Sequence, residues 1–359
     1  MNNNTFIIAE AGVNHCGDFK KAVLLCEKAF EIKASAIKFQ TFSSRSLVTE
    51  FAELCDYQKE SNNYKKNQKN LLEGLELKKN EFIKLSKKCE LIKIEFMSTA
   101  FDEENLKFLI NDAGIKRIKI PSGEIINPLL LLEAARSKLP IILSTGASTL
   151  KEIKNALKIL SFGFLNKKGI PNIHDINKAY ADKDAISFLK KKVSLLHCVS
   201  SYPCPIDEIN LLSLAKLKKT FKLKIGLSDH SLGTVIPISA VSMGAEIIEK
   251  HFTLNKSLAG PDHKASLDQK ELVDFVTKLK KAYKSLGQNR KFASNKELQN
   301  LKFIRKNIVA KKNIYKGQKF TENNITTKRS RPGIASEKWK KVLKKTSKFN
   351  FKKDQNIKI

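Results

Sequence analysis

The sequence predicts an α/β protein: a (β/α)8 TIM barrel followed by a small β-rich domain. Two observations predict the barrel. Short apolar strands alternate with longer helical patterns, as in βα units around a parallel sheet. Eight such units fit into roughly 280 residues, the size of a closed barrel. A doubly wound open sheet is the alternative, but it rarely needs eight units and usually carries a glycine fingerprint that this sequence lacks.

The predicted strands are short apolar runs that are bounded by turn residues. They cover residues 5–12, 35–41, 94–100, 117–123, 140–146, 193–201, 224–231 and 246–253. Helical patterns lie between them, for example over residues 19–33, 77–91, 147–160 and 209–219. Two long polar segments, 42–76 and 162–185, are predicted loops. The first follows a strand and could cover a site, whereas the second follows a helix and is expected on the opposite face.

A change in the pattern of apolar and polar residues after Gly287 predicts the second domain. Short β-like runs and Lys-Gly turns replace the repeated helices there. We therefore assign residues 1–286 to the barrel, 287–301 to a polar linker and 302–359 to the β-rich domain.

The net charge of +31 raises the question of nucleic-acid binding. Only seven of the 67 basic residues are arginine, lysine is spread over nearly every predicted helix, and no nucleic-acid-binding motif is present. We interpret the charge as compositional and expect no nucleic-acid partner, although a positive field would assist capture of a small anionic substrate. The sequence also lacks a membrane-length apolar run, a signal peptide and a CxxC pair, which predicts a cytoplasmic protein without a membrane partner.

Polar side chains lie at the C-terminal ends of the predicted strands, the face where such a barrel keeps its functional residues. Lys38 and Lys119 each lie between apolar residues on a core strand, and a buried ammonium group needs an anionic partner. Together with nearby Ser and Thr hydroxyls, they predict a pocket for a phosphate or a carboxylate. The alternative is a structural ion pair between a lysine and Glu10 or Glu124.

Three of the six histidines fall within residues 224–263. His230 and His251 lie at the ends of neighbouring predicted strands, so they predict a shared divalent metal with open coordination positions. Mn²⁺ or Mg²⁺ in a Lewis-acid role fits this arrangement. The alternative is that each is a satisfied core imidazole. His263 lies in the following loop, where contact with a sugar or with the loop backbone is expected.

Nine short motifs follow one another along the barrel. They are AEAGVNH (9–15), KFQTF (38–42), STAFD (98–102), KIPSGE (119–124), ILSTG (142–146), LLHCVSSYPCP (195–205), GLSDHS (226–231), EKHFTL (249–254) and GPDHKASL (260–267). In sequence and order they resemble the sialic acid synthase family, including its legionaminate synthases. The tail resembles the C-terminal SAF (antifreeze-like) domain of that family.

The resemblance implies condensation of phosphoenolpyruvate with an N-acylated mannosamine-type sugar and water, giving a nonulosonic acid (N-acetylneuraminate or legionaminate) and phosphate. A metal on His230 and His251 would polarise the sugar aldehyde for attack by C3 of phosphoenolpyruvate. Water then adds at C2 and phosphate leaves by C–O cleavage, with Glu10 as the candidate proton carrier. The residues that this reading assigns to phosphoenolpyruvate are Lys38, Thr99, Lys119, Ser122, Ser144 and Ser228. Those assigned to the sugar are Gln40, Glu124, Tyr202 and Asp262.

The resemblance further implies a domain-swapped homodimer, in which an SAF-domain arginine contacts the N-acyl group of the sugar in the partner's barrel. Here the segment reads KRSRPGI, so that Arg329 and Arg331 are both candidates, and solvated loop charges are the alternative. Ser200, a further predicted substrate contact, stands where some N-acetylneuraminate-forming members have asparagine. Ala100 stands where proline is common.

Two other functions remain open from the sequence. A Schiff-base aldolase of the pyruvate-lyase type would use Lys38 or Lys119 as its amine. A basic RNA- or anion-binding protein would use the C-terminal module and the positive charge.

Overall fold

The computed structural model describes residues 5–54, 67–330 and 332–359. It confirms the predicted barrel: eight parallel strands pair in chain order, and β1 closes the sheet on β8. The strands are β1 (Phe6–Gly12), β2 (Ala36–Thr41), β3 (Glu95–Ala100), β4 (Ile118–Ile120), β5 (Ile141–Ser144), β6 (Val193–His197), β7 (Lys224–Asp229) and β8 (Ile247–His251).

Helices follow the strands, and most of them pack on the outside of the barrel. They are α1 (Phe19–Glu31), α2 (Ser44–Leu47), α3 (Gln68–Glu73), α4 (Lys79–Ile92), α5 (Glu103–Asn111), α6 (Pro128–Arg136), α7 (Leu150–Phe164), α8 (Ile173–Ala181), α9 (Lys183–Lys192), α10 (Leu212–Phe221), α11 (Val235–Ser242) and α12 (Gln269–Ser285). Across the described ranges, no helix has both the length and the apolar character that crossing a bilayer requires.

The barrel interior changes from apolar to polar along the strands. One inward layer is apolar and consists of Ile8, Ala36, Met97, Ile142, Leu196 and Ile247. Side chains on a strand alternate between its two faces, so the next inward position lies two residues further on. In that position stand Glu10, Lys38, Thr99, Ser144 and Glu249. The apolar layer therefore closes the barrel beneath a polar layer.

The chain divides into two compact units, Met1–Gly287 and Gln288–Ile359. The second unit contains α13 (Asn295–Ile304), an antiparallel pair of strands, β9 (Lys306–Ala310) and β10 (Ile325–Arg329), and α14 (Trp339–Val342). Its core is a separate apolar cluster that includes Ile308, Phe320 and Phe351. This small β-rich unit agrees with the predicted second domain.

The predicted loop over residues 162–185 was wrong, because most of this segment is helical. Asn172 caps α8 and Asp182 caps α9 through side-chain bonds to backbone N–H groups. Ile176 and Ala179 bury an apolar stripe of α8 against neighbouring helices. The abundant lysine and aspartate around this narrow stripe hid the helical period.

The other predicted loop and the segment assigned to a linker also contain helices. Within residues 42–76 lie α2 and α3, and residues 55–66 are outside the described part of the chain. In the predicted linker, 287–301, α13 begins at a capping box formed by Ser294 and Glu297.

We expect barrel stability to depend on pH, because the loop after β1 contains a buried histidine. The His15 ring is 1% exposed, its Nδ1 accepts the Gly17 N–H at 3.1 Å, and burial lowers its pKa to about 4 although Asp18 acts in the opposite direction. Because the pKa of His15 is lower in the folded than in the unfolded protein, the neutral ring contributes to folding stability above pH 6.5, the approximate pKa in the unfolded chain. This contribution is lost as pH falls to 4. We expect the free energy of unfolding to fall by about 3 kcal/mol more in the parent than in His15→Asn between pH 7 and 4. Urea denaturation at several pH values measures this, and identical pH slopes would contradict it.

Candidate active site

The carboxyl ends of the strands open into a cavity of about 250 Å³. Strand register explains why residues far apart in sequence meet there: Glu10 pairs with Lys38 on one side and with His251 on the other, and Thr99 pairs with Lys119. The predicted site residues that line the cavity are Glu10, Lys38, Gln40, Thr99, Lys119, Ser122, Ser144, Ser200, Tyr202, Ser228, His230 and His251.

Both lysines of this cavity are held by carboxylates. Lys38 Nζ lies 2.7 Å from Glu10 Oε2 and donates to Thr99 Oγ1 at 3.0 Å. Lys119 Nζ donates to Glu249 Oε1 at 2.9 Å. The lysine–glutamate pairing, which was the alternative to an anion pocket, is thus present, and Lys119 pairs with Glu249 instead of Glu10 or Glu124.

The two carboxylates have opposite pKa shifts. Burial raises the pKa of Glu10 to about 7, although the attraction of Lys38 acts in the opposite direction. Burial would also raise the pKa of Glu249, but attraction to Lys119 and then to Lys38 outweighs it and lowers this pKa to about 2. Near neutral pH Glu249 is therefore ionised and Glu10 is partly protonated. Glu10 is the carboxyl that can exchange a proton in this cavity.

Glu249 is a cavity residue that the sequence reasoning did not single out. It is 4% exposed, and besides Lys119 it accepts a hydrogen bond from Ser228 Oγ at 2.9 Å. A signal was present in the sequence: Glu249 stands two residues before His251 on the same strand, so both side chains face inward.

The two histidines of the predicted metal pair lie together. Their ring centroids are 5.7 Å apart, and the Tyr202 ring lies 4.1 Å from that of His230. His230 Nδ1 lies 2.6 Å from the Val199 carbonyl oxygen, so Nδ1 donates there and Nε2 carries the lone pair, with Ser228 Oγ 3.5 Å away. His251 Nδ1 is buried without a hydrogen-bond partner among the described residues.

The electrostatics of this pair also fit a metal. Burial lowers the pKa of both His230 and His251, so both rings are neutral at pH 7, as a metal ligand must be. In the described part of the chain, no group of three or more His, Cys, Asp or Glu side chains could hold a metal ion. A metal on this pair would therefore take its other ligands from water or substrate oxygens.

Asp262 lies beside the main cavity, in an adjoining one that it shares with Gln40, Tyr202 and His251. Gly12 lies between the two carboxyl groups: a Cβ there would be in van der Waals contact, at 3.4 Å, with both Asp262 Oδ2 and Glu10 Oε1. Its φ of +52° is the feature that favours glycine at this position. Burial raises the pKa of Asp262 to about 6, although Lys38 acts in the opposite direction.

Two other predicted positions, Glu124 and His263, do not line the main cavity. Glu124 Oε2 accepts the Asn127 side-chain N–H at 2.7 Å. His263 lies in the loop after β8, where its Nδ1 is 2.7 Å from Thr253 Oγ1. Arg329 is the exposed last residue of β10 in the second unit, and Arg331 lies outside the described residues.

Comparison with known proteins identifies the family. The model of the NeuB family matches residues 25–291, and that of the SAF domain matches residues 305–358. The chain belongs to the NeuB family. An N,N'-diacetyllegionaminic acid synthase of Campylobacter jejuni is 40% identical over 98% of this chain and 98% of its own length. The resemblance predicted from the motifs is confirmed.

Other relatives of this NeuB-family chain have related names. A pseudaminic acid synthase of Helicobacter pylori is 32% identical over 96% of this chain and 94% of its own length. The crystal structure of an N-acetylneuraminic acid (sialic acid) synthetase of Leptospira borgpetersenii, in complex with citrate, matches with a TM-score of 0.68 and 36% identity. That match covers 84% of this chain and 92% of the other.

Proposed function

We propose that this NeuB-family protein is a metal-dependent nonulosonate synthase. It condenses phosphoenolpyruvate with an N-acylmannosamine-type sugar and water, giving a nine-carbon 2-keto acid (N-acetylneuraminate or legionaminate) and phosphate. The names of the synthases that it resembles support this reaction class. Since phosphoenolpyruvate is a metabolite of the cytoplasm, the proposal includes that location.

One observation carries the proposal: a single cavity unites two buried ammonium groups with two neutral imidazoles. Lys38 and Lys119 offer positive charge, and Ser144 Oγ is buried without a hydrogen-bond partner among the described residues. A phosphate and a carboxylate on one small molecule match such a pocket. With Glu10 partly neutral, the cluster of two lysines and two glutamates has a net positive charge, which favours an anion.

The histidine pair would serve the second substrate. His230 and His251 would hold Mn²⁺ or Mg²⁺, which supplies Lewis-acid polarisation of an aldehyde oxygen when bound. Tyr202 packs on the His230 ring and so fixes its orientation. Gln40 and Asp262 adjoin His251 and can hold sugar hydroxyls in hydrogen bonds.

Glu10 balances the protons of the reaction. C–C bond formation turns the aldehyde oxygen into a hydroxyl group, which requires a proton. The water that adds at C2 of the former enol phosphate releases a proton. A carboxyl with a pKa of about 7 can donate the first and accept the second. Loss of phosphate from the tetrahedral centre then leaves the keto group.

The aldolase alternative conflicts with the state of Lys38. A Schiff-base lysine reacts as the neutral amine, so its pKa must be lowered. Burial alone would lower the pKa of Lys38, but the attraction of Glu10 and then Glu249 outweighs it and raises this pKa. Lys38 therefore stays an ammonium ion, which suits anion binding.

Phosphate release tests the proposal. The protein is incubated with phosphoenolpyruvate and either N-acetylmannosamine or the 2,4-diacetamido-trideoxy sugar, with Mn²⁺ or with EDTA. We expect release that needs both a sugar and the metal. Borohydride trapping of substrate on a lysine, together with insensitivity to EDTA, would support the aldolase instead. Salt-sensitive RNA binding without phosphate release would support the basic binding protein.

The proposal extends to a domain-swapped homodimer in which Arg329 or Arg331 contacts the sugar in the partner's barrel. Replacing each separately by alanine is expected to raise the KM for the sugar in one variant only, with the KM for phosphoenolpyruvate unchanged. Mixed dimers give the decisive control. An inactive His251→Ala chain supplies an intact arginine, so mixing it with the affected arginine variant should give dimers with the parent's KM for the sugar. Failure of mixing to restore this KM, or unchanged kinetics in both arginine variants, would contradict the exchange.

A further inference from the structure

The cavity that adjoins the proposed active site has two chemically different ends. Its volume is about 100 Å³, and it shares Gln40, Tyr202 and His251 with the main cavity. Asp262 adds a carboxyl group at this polar end. The remaining lining residues have apolar side chains: Val13, Leu72, Leu75 and Pro261.

These four residues form the apolar wall of the cavity, and most of them belong to a packed cluster. Val13 and Leu75 are 4% and 7% exposed and form a buried cluster with Phe42, against which Leu72 packs. Because these side chains support one another, the wall keeps its shape without a ligand. Leu72 lies on α3 and Leu75 just after it, so both belong to the long segment that follows β2.

One close approach holds this segment against the loop after β1, and a hydrogen bond joins its two ends. Gly17, at φ +71°, lies so close to Gly74 that a Cβ would stand 2.6 Å from the Gly74 carbonyl oxygen. Only glycine permits this approach. The Glu76 side chain accepts the backbone N–H of Ser44. The leucines are thereby held at the edge of the active site.

The wall distinguishes between a methyl group and a hydroxyl group. A methyl group makes van der Waals contacts with the apolar side chains and leaves water. At this end of the cavity a hydroxyl group would also lose water, and the side chains of Val13, Leu72, Leu75 and Pro261 offer it no donor or acceptor. The polar end, with Gln40, Tyr202 and Asp262, can hold a hydroxyl group instead.

We infer that this cavity is a subsite for a methyl-terminated substituent of the sugar, with Leu72 as a specificity-determining residue. The inference rests on the proposed function and narrows its substrate class. Two sources provide such a methyl: the N-acetyl group, or the end of a sugar chain that is deoxygenated at C6. The segment after β2 therefore takes part in choosing the substrate.

Three sugars separate the two sources. N-acetylmannosamine is compared with its 6-deoxy analogue, which has a methyl in place of CH2OH, and with its N-glycolyl analogue, which adds a hydroxyl to the acyl methyl. The value of kcat/KM for each is measured by phosphate release. We expect the methyl-bearing member of one pair to be preferred by about 10- to 100-fold, the range over which an apolar pocket rejects an added hydroxyl.

Leu72→Asn tests the residue, and Leu71→Asn is the matched control. Leu71 lies next to Leu72 on α3 and packs against the same cluster, but it does not line the cavity. Leu72→Asn is expected to reduce the preference about tenfold while the KM for phosphoenolpyruvate stays unchanged, and Leu71→Asn should keep the preference. Loss of the 6-deoxy preference assigns the subsite to C6, and loss of the acetyl preference assigns it to the acyl group.

The outcomes also separate this inference from the proposed function. Turnover of all three sugars without a preference, or a preference that Leu72→Asn leaves intact, would overturn the subsite and leave the synthase reaction standing. Phosphate release with none of these sugars, and none with the 2,4-diacetamido-trideoxy sugar, would overturn the proposed function and the subsite with it. If only the 2,4-diacetamido-trideoxy sugar is turned over, the same two comparisons are made on it, with its 6-hydroxy and N-glycolyl analogues.

Discussion

Replacing His251 by alanine is expected to lower kcat by about 10³-fold while the barrel stays folded. Loss of one ligand from a two-histidine site removes the Lewis acid, whose contribution of several kcal/mol corresponds to this factor. The fold should survive, because the His251 side chain lies at the open end of the barrel and its Nδ1 makes no hydrogen bond to a described residue, with Asp262 Oδ2 3.8 Å away. Steady-state phosphate release measures the rate, and circular dichroism checks the fold.

A direct metal-binding measurement accompanies the kinetics. Electron paramagnetic resonance of free Mn²⁺ should show affinity lowered by more than about 100-fold in His251→Ala. His197→Gln is the matched control, since His197 is also buried but bonds to the Ile209 carbonyl and does not line the main cavity. A His251→Ala protein that is fully active and insensitive to EDTA would contradict the ligand assignment.

Lys119→Met is expected to lower kcat/KM for phosphoenolpyruvate by about 100-fold and also to destabilise the barrel. The first effect follows from the loss of a charge-assisted hydrogen bond to the substrate anion. The second arises because Glu249 loses its 2.9 Å partner inside the barrel and keeps Lys38 only at 3.8 Å. Removing one partner of a buried ion pair costs about 3–5 kcal/mol. Urea denaturation measures the stability.

A double variant separates the two effects. Adding Glu249→Gln to Lys119→Met removes the uncompensated charge, so most of the stability should return. Affinity for phosphoenolpyruvate should not return, because the ammonium group is still absent. Unchanged stability and unchanged affinity in Lys119→Met would show that this lysine neither balances Glu249 nor binds the substrate.

The strands of the barrel were predictable because each is a short apolar run with its own turn signals. The helices around residues 172–192 were not, since a few apolar positions among many charges fix them, and their caps are visible only once the helix is known. Local sequence patterns report what a segment buries. They do not report well on elements that are stabilised mainly by capping and a narrow contact.

For the site, the sequence predicted which residues line the cavity better than it predicted which side chains they contact. Their positions at the ends of predicted strands identified Lys38, Lys119, His230 and His251 as candidate site residues. The partner of Lys119 was missed, because Glu249 lies 130 residues away and the pairing depends on how the barrel closes across its interior. Contacts across the barrel interior depend on the closure and shear of the sheet, and no local sequence pattern records these.

Phosphoenolpyruvate with ¹⁸O in the bridging C–O–P position tests the central claim most directly. The protein is supplied with this compound, Mn²⁺ and an accepted sugar, and mass spectrometry reads both products. Addition of water at C2 followed by C–O cleavage predicts ¹⁸O in the released phosphate and none in the nine-carbon keto acid. Unlabelled phosphate with the label kept in the organic product, or phosphate release that needs no sugar, would contradict the proposed reaction.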